Sequence, residues 1–204
     1  MSSDNIEDKT IITPMTLVGC GILKKEIRHL IKKNNWPITT KFFDSGLHVN
    51  FNKLRSSLEK GLEQNRNSPT IVFYGTCHPM MEKMLEKWKT LRTPGQNCVE
   101  ILIGKEIFTR ELEQGAFFLM EDWARRFEHV TGMAFNDNPA ITRKIFQMEH
   151  KYLLGLRTDC SSDFTDHAEK VSRLVGLPLR WMDAGLEHLE QTLEELIEQR
   201  KHLP

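Results

Sequence analysis

The chain has 204 residues, 39% of them hydrophobic and 27% charged, which suits one sizeable α/β domain and leaves little room for two. Basic and acidic residues balance at 28 each, so no net field draws the protein to nucleic acid or to an anionic membrane surface. No apolar run approaches the roughly 20 residues that span a bilayer. The polar, acidic start from Met1 to Lys9 lacks the apolar core of a signal peptide, so a cytoplasmic location is expected. There, four cysteines are free thiols or metal ligands rather than disulfides.

Residues 1–14 read as a flexible tail, and 15–204 as a single domain. Thr16-Leu-Val-Gly-Cys-Gly21 is a short strand ending at a Gly-Cys-Gly turn. Ile22 to Asn34 carries apolar residues at Ile22, Leu23, Ile27, Leu30 and Ile31, which is helical spacing. Trp36-Pro37 breaks it. Ile38 to Phe43 is a second strand, Asp44 to Asn50 a connection, and Asn52 to Gln64 a helix with Leu54, Leu58 and Leu62 on one face. After the loop 65–69 comes Thr70-Ile-Val-Phe-Tyr-Gly-Thr-Cys-His-Pro79. This is a β-rich run that delivers Cys77 and His78 into a turn before the next helix, Met80 to Thr90. Leu91 to Asn97 is a loop with a vestigial strand. Cys98 opens a helix that kinks near Gly104 and continues from Lys105 to Glu113.

Ala116 to Met120 is a short strand and Glu121 to Val130 a helix. Asn136-Asp-Asn-Pro139 is a loop with N-cap chemistry before the helix Ala140 to His150. The strand Tyr152 to Leu156 leads into Arg157-Thr-Asp-Cys160. A helix from Asp163 to Leu174, a strand from Leu179 to Met182 and a last amphipathic helix from Leu186 to Arg200 complete the chain. Strands and helices alternate with short connections. The expected fold class is therefore α/β, with a mostly parallel β-sheet and helices on both faces in Rossmann-like layers.

Cys20, Cys77 and Cys160 each follow an apolar strand, and Cys98 opens a helix after a loop. In a parallel sheet these positions share one edge, where ligands bind. Backbone N–H groups and helix N-termini at that edge are expected to favour thiolate over thiol. Three converging thiolates suit an iron–sulfur cluster, zinc or another soft metal, with one coordination position open. The alternative is that the cysteines are small apolar residues packed in the core, because no C-x-x-C spacing ties them together. His78 and His48 are candidate acid/base groups or a fourth ligand; each could equally be a loop histidine with no chemical task. Asp44 and Asp159 end strands, where an aspartate binds a cofactor or caps the next helix, and Tyr74 either lines the pocket or packs in the core. Trp36, Trp88, Trp123 and Trp181 are expected in the core or an interface. Leu186, Leu189, Leu193 and Leu196 suit packing on the chain's own sheet or the seam of a homodimer.

Several stretches in order resemble the bacterial and archaeal family catalogued as Domain of Unknown Function 1638. They are Val18 to Glu26, Leu47-His48 with Leu54, Tyr74-Gly-Thr-Cys77, Asn97-Cys98 through Gly104, Gly115-Ala-Phe-Phe-Leu119 with Trp123, and Thr158-Asp159. The resemblance runs from Thr16 to about Ile197. It singles out Cys20, Cys77 and Cys98 and leaves Cys160 aside. Asn97 stands where the family usually has aspartate, His78-Pro79 where glycine is common, and Met120-Glu121 where Thr-Pro is usual. The three cysteines that it singles out, read as one site, lead to the expectation of a metal-binding protein in which they hold an iron–sulfur cluster with an open coordination position acting on a small molecule, as a metal-dependent lyase or transferase. Family members are often encoded near corrinoid-dependent methyltransferases. That implies, as the alternative, a non-enzymatic accessory protein that binds a corrinoid, a corrinoid protein or a methyltransferase.

Overall fold

The computed structural model describes residues 14–135 and 138–203. The expected flexible tail, apart from Pro14, lies outside the described residues, as do Asn136 and Asp137 of the expected capping loop. Parallel strands covered on both faces need near-continuous apolar sequence, and the chain supplies it where its strands form. β1 (Met15–Cys20) is buried along its whole length. It lies between β2 (Ile38–Phe43) and β3 (Thr70–Phe73), and β4 (Leu91–Arg92) completes a sheet of order β2-β1-β3-β4 with every pair parallel. A second sheet is built from β5 (Ala116–Leu119), β6 (Tyr152–Arg157) and β7 (Leu179–Asp183), in that order and again parallel.

The α/β class and the parallel pairing agree with the sequence. The single sheet does not: among the described residues the strands divide into two sheets. Between them the chain runs through α4 (Cys98–Ile103) and α5 (Lys105–Glu113) without forming a strand. The two-residue β4 offers too short an edge to carry the pairing onward. Gly104, at φ 80°, makes the predicted kink between these two helices.

The other helices are α1 (Lys24–Lys33), α2 (Phe51–Gln64), α3 (Met81–Lys87), α6 (Glu121–Phe135), α7 (Pro139–Glu149), α8 (Thr165–Val175) and α9 (Glu187–Lys201). α3 is shorter than predicted, and α6 runs past the predicted Val130. No helix among the described residues is long and apolar enough to cross a membrane.

One apolar cluster joins the two sheets. It contains Leu17, Val72 and Phe73 of the first sheet together with Phe118, Leu154 and Leu156 of the second. α9 returns to the first sheet, packing on α4, β3 and β4. Its Leu189, Leu193, Leu196 and Ile197 are buried in that same cluster, each such side chain stabilising the fold by about 1.5–3 kcal/mol. The heptad-like leucines therefore fill the chain's own core. A second cluster around Leu153, Phe146 and Phe164 lies under α6, α7 and α8.

The C-terminal edges of the two sheets meet across a polar seam. Lys25 Nζ lies 2.8 Å from Glu121 Oε2 and donates to Ser162 Oγ at 2.9 Å. Arg126 donates to both Asp44 oxygens at 3.0 and 2.8 Å. Ser45 Oγ bonds to Asp122, and Thr158 Oγ1 donates to the buried Glu26 Oε1 at 2.8 Å. These bonds hold the segments after β1 and β2 against those after β5 and β6.

Candidate metal centre

Cys20 is the last residue of β1, paired in register with Phe43, and is 8% exposed. Cys77 lies in the turn after β3. That turn is pressed against the residues before Cys98: Thr76 N donates to Gln96 O at 2.9 Å. A Cβ on Gly75 would lie 2.3 Å from Gln96 O and 2.5 Å from Asn97 N, so only glycine fits. Asn97 then caps α4, its Oδ1 accepting from Val99 N and Glu100 N at 3.0 Å each, and Cys98 follows in the first turn. Three chain segments thus bring Cys20, Cys77 and Cys98 into the wall of one cavity of about 70 Å³.

The electrostatics differ from the sequence expectation. Burial pushes Cys20 well above the usual thiol range, and the neighbouring Cys98 and Cys77 add to the effect. Cys98 is pushed up to about 12 by burial and then by Cys77. Cys77 is raised by burial as well. Backbone N–H groups of Ile22, Gly75 and Val99 pull the other way, as expected at strand and helix ends, and are outweighed. Without a cation beside them all three are thiols at pH 7; a bound metal would reverse that balance.

His48 and Trp123 complete the site from opposite halves of the chain. His48 sits on a 3₁₀ turn, Ser45–Val49, and its Nδ1–H donates to Ser45 O at 2.8 Å. A carbonyl can only accept, so the neutral ring carries its lone pair on Nε2. Burial lowers its pKa and keeps it neutral, against the opposing pull of Ser45 and Asp44. The ring stacks on Trp123 at 5.1 Å between centroids and 28° between planes. Trp123 Nε1 and Tyr74 Oη are buried with no hydrogen-bond partner among the described residues, and both residues line the thiol cavity. Tyr74 is 3% exposed, and burial, then the nearby thiols, raise its pKa. Trp88 Nε1 and Arg200 Nε are likewise buried without a partner among the described residues and lie outside this cavity; what distinguishes Tyr74 and Trp123 is that both residues line the cavity that holds the thiols.

The remaining candidates lie elsewhere. His78, although next to Cys77 in sequence, turns away from the cavity: its Nδ1 accepts from Met80 N at 2.9 Å and its ring meets Phe51 edge-on at 5.5 Å. It organises the turn into α3. Asp44 caps the 3₁₀ turn through Gly46 N and pairs with Arg126, which holds its carboxyl below its usual pKa despite some desolvation. Asp159 is exposed beyond β6. Cys160 lies in that same turn, raised by burial and by Glu26 and Asp159 rather than by other thiols.

Ser45, Asn97 and Trp123 line the cavity and were not among the residues assigned to it from sequence. Trp123 lies four residues beyond the end of β5, so the strand-end rule that located the cysteines also reaches it. Among the described residues no three His, Cys, Asp or Glu side chains are gathered tightly enough to hold a single metal ion. The thiols share a wall rather than a point. A cluster spreads its cysteine ligands over several irons and needs a wider spacing than one ion.

No curated protein and no solved structure matches the chain. A family match covers residues 42–193, most of the sequence, and takes in His48, Tyr74, Cys77, Cys98 and Trp123, with Cys20 lying before it. The chain belongs to the family described as Protein of unknown function (DUF1638).

Proposed function

We propose that the protein is a metal-binding protein in which Cys20, Cys77 and Cys98 hold an iron–sulfur cluster, with one coordination position left for a small-molecule substrate. The observation that carries this is the convergence of three thiols from three separate segments on a cavity with two orphaned donors. The donor set is soft and thiol-rich, which favours an iron–sulfur cluster over magnesium or calcium. A bound cluster would supply a Lewis-acidic open site. The chain's own residues would do the rest. Tyr74 Oη and Trp123 Nε1 would donate hydrogen bonds to cluster sulfide or to a substrate oxygen, and such donors to sulfur tune a cluster. His48, neutral with Nε2 free, is placed to take a proton from a substrate or return it. The thiols' preference for the protonated form makes loading release protons, so affinity for the metal should rise with pH. With a substrate of this kind the activity would be that of a metal-dependent lyase or transferase.

The test is anaerobic purification followed by elemental analysis and absorption spectroscopy. Iron and sulfide with a cluster absorption band, lost in Cys20→Ala, Cys77→Ala and Cys98→Ala but kept in Cys160→Ala, are expected. Zinc with the same cysteine dependence would keep the site and change the metal. A corrinoid spectrum would instead favour the accessory-protein reading. The thiol cavity of about 70 Å³ and its neighbour of about 240 Å³ are below the roughly 300–1,000 Å³ of drug-sized ligand sites, so neither would enclose a corrin ring. Protein free of metal after anaerobic reconstitution, with thiols that Cys→Ala shows to be dispensable, would reject the proposal.

A further inference from the structure

On the far side of the His48–Trp123 stack lies a second cavity, of about 240 Å³. His48 and Trp123 stand in the walls of both. The second cavity is aromatic to an unusual degree. Phe117, Phe127 and Phe146 line it together with Trp123, and His150 joins His48 in the wall. The rings form a connected array. Phe117 lies 25° from the plane of Trp123 at 6.4 Å, meets Phe146 at 4.8 Å and 63°, and meets His150 at 5.2 Å and 63°. Among the described residues no lysine, arginine, aspartate or glutamate is in the lining.

These properties specify a ligand. A wall of ring faces and edges rewards a planar ring, by about 0.5–1.5 kcal/mol beyond the area it buries. The absence of charge in the wall rejects a carboxylate or phosphate, whose desolvation would go uncompensated. For size, an engineered apolar cavity of about 150 Å³ takes benzene. A volume of 240 Å³ therefore suits one substituted ring and is too small for a nucleotide. His48, Thr131 and His150 give the wall its polarity, and burial lowers the pKa of both histidines. A neutral His48 offers a lone pair, so a substituent meeting it should donate a hydrogen bond.

We propose that this cavity binds a small, uncharged, monocyclic aromatic or heteroaromatic compound carrying a hydrogen-bond donor, and that it is the substrate pocket of the thiol site. The second half of that statement rests on the metal-centre reading; the first half does not. His48 and Trp123 would then contact the bound ring on one side and the thiol cavity on the other.

Phenol, cyclohexanol and sodium benzoate serve as probes, titrated by ligand-observed saturation-transfer NMR into the full-length protein, with and without reconstituted metal. Phenol should bind about 2–10-fold more tightly than cyclohexanol, the range that the ring–ring contribution gives. Benzoate should bind at least about tenfold more weakly than phenol. Ile145 and Val130 also line the cavity and are half-buried, so Ile145→Trp and Val130→Trp each fill it from a position that tolerates bulk. Whichever variant retains a cooperative thermal transition should lose phenol binding by at least about tenfold, equivalent to about 1.4 kcal/mol. Cys77→Ala should keep it, which separates failure of the metal centre from failure of the pocket. Competition between phenol binding and a ligand on the reconstituted metal would connect the two cavities. Equal binding of phenol and cyclohexanol, benzoate binding as well as phenol, or phenol binding untouched in both folded filling variants would overturn the proposal.

Discussion

Cys20 and Cys160 occupy equivalent places in their sheets and have different surroundings. Each lies at or just beyond the C-terminal end of an interior strand, β1 in one case and β6 in the other. Cys20 is buried among two further thiols, an orphaned phenol and an orphaned indole. Cys160 sits in a half-exposed turn where Thr158 Oγ1 accepts from its N–H and carboxylates surround it. Position at the sheet edge brings a residue to where ligands bind; whether it becomes part of a site depends on how many other segments close over it. The first sheet gains that closure from the second, through Trp123 and the seam around Arg126. Beyond β6 no comparable lid of thiols or rings encloses Cys160 among the described residues.

The comparison can be broken most forcefully at the glycines. Gly75→Ala should cost about 1–3 kcal/mol by overpacking, because the backbone it meets at Gln96 and Asn97 cannot step aside. It should also separate Cys77 from Cys98 and abolish metal loading. Gly155→Ala in β6 meets the ring of the half-buried Trp181 at 2.5 Å. It should lower the urea midpoint and leave loading intact; equal loss of metal in both variants would show that the two edges are not independent.

Alkaline titration probes the same difference through stability. The three cavity thiols have raised folded pKa values, so their contribution is fully present below the unfolded thiol pKa of about 8.5 and is lost as pH rises towards the folded values. In metal-free protein each such thiol should remove up to about 1.4 kcal/mol of unfolding free energy per pH unit above that point. For Cys98 the window extends to about 12. Cys98→Ala should flatten the slope between pH 8.5 and 10 in denaturant titrations, and an unchanged slope would contradict the assigned burial.

Alkylation gives a kinetic version. In metal-free protein at pH 8, iodoacetamide should modify the half-exposed Cys160 about tenfold or more faster than the buried Cys20, since reactivity follows exposure. Peptide mapping reads this directly. The smallest effect belongs to the seam. Arg126→Gln should cost below about 1 kcal/mol, because the Asp44 pair is substantially exposed. A larger loss, accompanied by a change in Trp123 fluorescence, would show that the pair holds the His48–Trp123 stack in place.

The strands and the thiol edge were legible because apolar runs and strand-end cysteines are local features, readable within ten residues. The division into two sheets was not, since hydrophobic pattern says that a strand is buried and not which strand it pairs with. His78 misled by adjacency: lying next to Cys77 in sequence, it uses its ring to receive the Met80 N–H instead. Trp123 was assigned to packing because its partner, His48, is 75 residues away in sequence. The protonation of the thiols could not be read either. The N–H groups that lower a thiol pKa are implied by strand ends, whereas the desolvation that overrides them comes from segments distant in sequence, such as those of Ser45, His48 and Trp123 for Cys98.

The return of α9 to the first sheet has a consequence for biosynthesis. Cys20, Cys77 and Cys98 all leave the ribosome before the helix whose Leu189, Leu193, Leu196 and Ile197 complete the core beneath them. At about 5–20 residues per second, the roughly 100 residues between Cys98 and Ile197 take about 5–20 s to translate. During that interval the apolar cluster that the three thiols share with α9 is incomplete. A chain shortened before α9 would leave it so.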